Sequence, residues 1–195
     1  MSINRSKTLQ IGLSFMCMLM LVLIGFSWKG AEDFSSEPLT LLEAYNLART
    51  MVTKDGYYLF SITSTDDGLE PDISEGLDGR RRRWNLSFNR VGTDEHKWIS
   101  INNSEIIEII VDIGYNGGME AIIRTEDITI DSPEALILAT DKFSLYPGTW
   151  WAYGHHFTFN NMPDGIFMGV TGFDEEDENF HRVNINLATM EMYFH

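Results

Sequence analysis

The sequence predicts an α+β protein. An N-terminal transmembrane helix comes first, followed by two repeats, each a helix packed across a short antiparallel sheet. Three observations carry this expectation. Ile11 to Trp28 holds no charged residue. Two later stretches show helical spacing of apolar residues behind N-cap residues. Each is followed by short runs that alternate apolar and polar residues, ending in "FHRVNINLATMEMYFH".

The apolar run sits between a signal-peptide core and a full membrane span in length. Arg5 and Lys7 precede it, and Glu32, Asp33 and Glu37 follow. This asymmetry places the N-terminus in the cytoplasm and the body outside. Trp28 and Lys29 suit a membrane–water interface. Gly25-x-Ser27 offers small residues, but no Ala-x-Ala cleavage site is present. Residues 1–30 are thus read as a membrane anchor or signal. An uncleaved single-pass anchor is preferred, and secretion after cleavage is the alternative. Residues 31–37 form an acidic juxtamembrane linker. The single cysteine, Cys17, follows Met16 inside the run, which argues against lipidation and leaves the body without disulfides.

The chain carries a net charge of −15. The first thirty residues hold Arg5, Lys7 and Lys29 and no acid. The remainder holds 11 basic and 29 acidic residues, a net of −18. Such a body is repelled by phosphate backbones, so nucleic acid is excluded as a partner.

The first repeat is assigned to residues 38–131. Thr40 and Glu43 form a capping box. Leu41, Ala44, Tyr45, Ala48, Met51 and Val52 share one helical face, and Lys54-Asp55-Gly56 ends the helix. "GYYLFSITST" reads as a strand and "DDGLEPDISEGLDG" as an acidic loop. "RRRRWNLSF" and "HKWISINN" are further strands, with "SEIIEIIVDI" extending the second or forming another. The second repeat is assigned to residues 132–195. Ser132 is read as the cap, with Pro133 at the first helical position. "GHHFTFNN" and "IFMGVTGF" are strands around an "MPDG" turn. "DEEDE" is a loop, and "HRVNINLATMEMYF" is a closing strand expected to be interior or paired along most of its length. A shift of 84 residues carries Trp84 onto Met168, Leu86 onto Val170, Ile99 onto Val183, Ile101 onto Ile185 and Asn102 onto Asn186. Leu86, Ile101, Val170 and Ile185 are expected in the core.

"VNINLATMEM", with Thr189 and Glu191, resembles the closing strand of PepSY domains, "V-x-V-D-A-x-T-G-E-V". Asn186 stands where that pattern has an acid, and Met190 where it has a turn glycine. "ISINNSEIIEI" keeps less of it. The resemblance covers residues 38–195 as two copies. It implies a PepSY/cystatin-like fold and an extracytoplasmic, non-catalytic module. Family members occur in protease propeptides, where they restrain the enzyme, and in membrane-anchored regulatory proteins.

Chemical motifs are sparse. His155 and His156 are adjacent on a strand and face opposite sides, so they cannot share an ion. Asp174 to Glu178 lacks the glycine and ligand spacing of a calcium loop and reads as a solvated hairpin loop. Asp112, Asn116 and Glu120 around "GYNGG" read as a turn. There is no Gly-x-Ser-x-Gly, no exported cysteine and no phosphate-cradling glycine loop. No catalytic set, metal or cofactor is expected. Arg80, Arg81, Arg82 and Arg83 are either a docking patch for an acidic partner or lipid headgroups, or a charged strand entrance. Trp150, Trp151 and Tyr153 are either a carbohydrate or peptide platform, or an aromatic plug between helix and sheet. The expected function is an extracytoplasmic, membrane-anchored, non-catalytic regulator. It would modulate a membrane-associated enzyme, protease or sensor kinase through a protein partner in or at the membrane. The alternative is a small-ligand or cell-wall glycan binding module using the Trp-rich loop.

Overall fold

Thr40 starts the first helix as its sequence demands. Its Oγ1 accepts the Glu43 N–H at 3.2 Å, and Glu43 Oε2 accepts the Thr40 N–H at 2.9 Å. The structure, a computed structural model, describes residues 37–52, 56–65, 76–114, 122–148, 153–174 and 179–195. The elements in order are α1 (Leu41–Arg49), β1 (Tyr57–Thr65), β2 (Arg83–Arg90), β3 (Glu95–Asn102) and β4 (Glu105–Ile113). A 3-10 turn (Thr125–Asp127) leads to α2 (Ser132–Phe143), β5 (His156–Met162), β6 (Gly165–Phe173), β7 (Phe180–Asn186) and β8 (Met192–Phe194).

These strands form one antiparallel sheet in the order β4-β3-β2-β1-β5-β6-β7-β8. This corrects the expected architecture of two separate helix-on-sheet repeats. The reason is the free edge of β1. Its backbone groups need partners, and β5 supplies them through Ser61–Asn160, Ile62–Phe159 and Thr63–Thr158. Ser64 Oγ extends the junction by accepting the Phe157 N–H at 2.8 Å. Among the described residues no helix is long and apolar enough to cross a membrane. The predicted anchor, residues 1–30, lies outside them, as does the linker apart from Glu37.

The pairing registers sort the side chains into rows that run across all eight strands. One row is Ile109, Ile99, Leu86, Ile62, Phe159, Met168, Ile185 and Met192. It lies under both helices, and its six inner members are fully buried. Each such residue contributes about 1.5–3 kcal/mol through burial. Leu86, Ile101, Val170 and Ile185 are all in this core, as expected. Met51 is not; it is 48% exposed beyond the end of α1. The hairpins β2–β3 and β6–β7 keep one register at the 84-residue shift. Trp84 pairs with Ile101 as Met168 pairs with Ile185, and Leu86 with Ile99 as Val170 with Val183.

The two helices start at one place and cap each other. Leu41 N–H donates to Ser132 Oγ at 2.9 Å, and Leu42 N–H donates to Asp131 Oδ1 at 2.9 Å. Ser132 Oγ in turn donates to the Gly79 carbonyl at 2.6 Å. The N-cap of α2 is therefore Asp131, whose Oδ1 also accepts Ser132 N–H at 2.7 Å. Ser132 was the expected cap, but its hydroxyl serves α1 instead. Gly79, at φ +80°, lets the chain pass against Pro133 where a Cβ would clash.

"SEIIEIIVDI" forms its own strand, β4, joined to β3 by a two-residue turn. Asn103 and Ser104 both take left-handed φ, 50° and 65°, as a tight hairpin turn requires. The closing segment divides into two strands, which corrects the single strand expected there. β7 is interior, whereas β8 is a three-residue edge strand. Asn186 makes the turn between them, its Oδ1 accepting Ala188 N–H at 3.0 Å and Thr189 N–H at 3.3 Å. Met190, at the position of the PepSY-type glycine, takes φ 59°.

Candidate functional site

Next to the apolar row runs its opposite, on the face without helices. It consists of Glu108, Ser100, Asn85, Thr63, Thr158, Gly169, Asn184 and Tyr193. No member is aliphatic. Strand alternation puts every second residue here; hydroxyl and amide side chains fill the central positions, and Trp98 and Phe167 stand in the neighbouring row. Ser61, Ser87 and Asn160 flank this row on one side, with Thr171 and Arg182 on the other.

The charge on this face differs from that of the chain. The six inner strands contain a single carboxylate, Glu95. Glu95 points to the helix side, where Arg90 and Tyr57 hydrogen-bond it and hold its pKa below the usual carboxylate range. The helix-free face of the inner strands therefore presents Arg83, His96, His156 and Arg182 and no acid. Acids return only on the edge strand β4, as Glu105, Glu108 and Asp112.

The two halves of this face are finished differently. In the first half most of these polar groups satisfy one another, although Asn102 Oδ1 is shielded from solvent without a partner among the described residues. Ser100 Oγ donates to Asn85 Oδ1 at 2.9 Å, and the hydroxyls of Ser61 and Ser87 meet at 2.7 Å. His96 Nδ1 lies 2.6 Å from Asn89 Oδ1. Burial lowers the His96 pKa, with Asp112 opposing. In the second half the 84-residue shift carries Asn85 onto Gly169 and Trp98 onto Arg182. Arg182 lies across Gly169, where an added Cβ would sit 2.6 Å from its Nε and 2.7 Å from Nη2. Nη2 donates to Thr158 Oγ1. Arg182 Nε and Asn184 Oδ1 are shielded from solvent and have no hydrogen-bond partner. Burial pushes the Arg182 pKa down.

The sequence-predicted candidates are scattered. Arg80 pairs with Glu43 at 2.9 Å and donates to the Pro38 carbonyl at 3.1 Å. Arg81 is 1% exposed, and its Nη1 donates to the Tyr153 carbonyl at 2.9 Å. The structure thus joins one member of the arginine run to one member of the aromatic platform, through a buried contact. Arg82 and Arg83 are half-buried, and Arg83 pairs in register with Thr65 and Asn102. Trp150, Trp151 and residues 175–178 lie outside the described residues, as do Asn116 and Glu120. His155 is buried on the helix side, where its Nε2 donates to the Leu145 carbonyl at 3.3 Å. His156 is on the other face, paired with Thr171. His181 contacts Asp174 at 2.8 Å and stacks on Phe194. Among the described residues no group of three His, Cys, Asp or Glu side chains is placed to hold a metal. A cleft of about 770 Å³ opens beside α1, lined by Tyr45, Arg49, Tyr57, Phe88, Arg124 and Glu126 among others.

Sequence reasoning missed Thr158, Gly169, Arg182 and Asn184. Their signal was present in the alternation: the helix-free positions of the inner strands carry hydroxyls, amides, cations and a few aromatics but no acid, in a chain rich in acids.

No family model and no curated protein matches the chain. Among solved structures, the chain is similar to one titled "a putative lipoprotein" from Clostridium difficile 630, at 7% identity. The likeness covers 81% of this chain and 94% of that one, with a TM-score of 0.49.

Proposed function

We propose that the chain is a non-catalytic binding protein that holds its ligand on the helix-free face of the sheet. The observation that supports this reading is the polar row across eight strands, free of carboxylate on its six inner strands in a chain of net charge −15. The row's hydroxyls and amides stand at the strand spacing of about 4.8 Å, suited to a hydroxylated ligand. The charge asymmetry around Ile11–Trp28 supports membrane attachment with the body outside. The PepSY resemblance supports a non-catalytic role there.

A second reading is regulation of a membrane-associated enzyme, protease or sensor kinase through a protein partner. One observation favours it. β4 is a nine-residue edge strand, with Ile107, Ile109, Ile110, Val111 and Ile113 exposed, Ile113 by 72%. Edges of that length and composition invite another strand.

Site-specific photo-crosslinking in intact membranes tests the primary reading. A crosslinker at Ser100 or Asn184 should capture cell-envelope material. One at Ile137, exposed on the outer side of α2, should not. Equal capture from Ile137 would remove the helix-free face as the binding site, and capture from Ile110 alone would favour the regulatory reading.

A further inference from the structure

Three other arginines of this body have strong acceptors. Arg80 has Glu43, Arg90 has Glu95, and Arg81 has the Tyr153 carbonyl. Arg182 has only the Thr158 hydroxyl. It is half-buried, and no carboxylate pairs with it among the described residues. Removing an ion from water without a counter-charge is costly. That cost argues for an anion supplied from outside the chain.

The surroundings fit such an anion. Gly169 gives the guanidinium room to lie flat on β6, and a side chain there would displace it. Thr158 fixes one end through Nη2, and Nε has no acceptor among the described residues. Thr171 and Asn184 pair in register on either side, and both are hydrogen-bonding side chains. The strands β5, β6 and β7 contribute no acid that would compete. The matching site in the first half has Asn85 in place of the glycine and Trp98 in place of the arginine, and it closes on itself.

Resting on the reading of this face as a binding surface, we propose that Arg182, Thr158, Asn184 and Gly169 form a subsite for an oxyanion. The oxyanion is a carboxylate or phosphate ester borne on a carbohydrate. The guanidinium takes the oxyanion. Asn184, whose Oδ1 has no partner among the described residues, takes a sugar hydroxyl beside it.

The test uses the full-length protein in detergent micelles, titrated calorimetrically with three probes: trigalacturonate, glucose 6-phosphate and neutral maltotriose. At least one acidic probe should bind at least tenfold more tightly than maltotriose, and that margin should shrink as salt rises. Which acidic probe binds separates uronate from phosphate as the source. Arg182→Gln should reduce the acidic affinity at least tenfold, and Arg182→Lys should reduce it less. Thr158→Val, nearly isosteric, should cost a few-fold by releasing Nη2, and it serves as the readout if Arg182→Gln does not fold. Equal binding of neutral and acidic probes would overturn the oxyanion subsite and leave the binding face standing. Acidic binding indifferent to both substitutions would overturn it too. No binding by any probe at millimolar concentration would also overturn it, with the crosslinking result then deciding the face itself.

Discussion

The β2–β3 and β6–β7 hairpins share a register to the residue, yet one is finished and the other is open. On the helix side they are interchangeable in kind: Trp84, Leu86, Ile99 and Ile101 against Met168, Val170, Val183 and Ile185. On the helix-free side Asn85 closes the first half with Ser100, whereas Gly169 leaves Arg182 and Asn184 with unused polar atoms. Packing demands are thus met twice in the same way, whereas at the matched positions Asn85 has a partner and Arg182 Nε has none among the described residues.

The comparison breaks first if the shared core is not shared. Ile101→Ala and Ile185→Ala should each cost about 2–4 kcal/mol. In urea both variants should unfold in a single transition that includes both halves. Two separated transitions would make the halves independent domains and the β1–β5 junction weak.

Asp131→Ala should cost about 1–2 kcal/mol. One carboxylate oxygen caps α2 and also takes an N–H from α1. The same loss seen by a probe on α1 as by one on α2 would establish the coupling. A loss confined to α2 would mean that Leu42 finds another acceptor.

Each half also holds a histidine that burial keeps below its ordinary pKa, His96 in the first and His155 in the second. As pH falls through about 6.5, the unfolded chain takes up these protons before the folded one, so stability declines. It is fully present above that value. Asp112 opposes the shift at His96, and the Leu145 carbonyl opposes it at His155, but the Arg81 charge adds to it there. His155→Gln should therefore flatten the stability profile between pH 5 and pH 7.5 more than His96→Gln. Urea midpoints across that range check the order, and the reverse order would mean that Arg81 is screened from His155.

The smallest expected effect lies in the closing turn. Met190 holds a left-handed φ that costs a non-glycine residue about 1 kcal/mol. Met190→Gly should raise the thermal midpoint slightly. No change would show that Met190 packing offsets its backbone strain.

Most strands and the core were legible in the sequence because alternation and capping are local signals. Thr40 and Glu43, or Leu86 and Ile101, declare themselves within a few residues. The single sheet was not legible. Nothing in "GYYLFSITST" reveals that its second edge belongs to β5 about a hundred residues later, so two sheets were the simpler expectation. Asp131 was passed over for Ser132 because both are cap residues, and only the tertiary position of α1 decides between them. The arginine run attracted notice by composition, although its members are distributed between an ion pair, a buried carbonyl contact and half-buried sites. Arg182, one arginine among Phe180, His181 and Val183, stands out only when Gly169 is known to be beneath it.

The mutual capping of the helices bears on how the chain is made. Leu41 depends on Ser132, 91 residues downstream, and β1 depends on β5 for its second edge. At about 5–20 residues per second of synthesis, the first half spends several seconds or more as an incomplete sheet. During that interval it shows two bare edges, β1 and the aliphatic β4, where the finished protein shows β4 and the short β8. The nascent first half is accordingly exposed to aggregation until β5 arrives to cover the β1 edge.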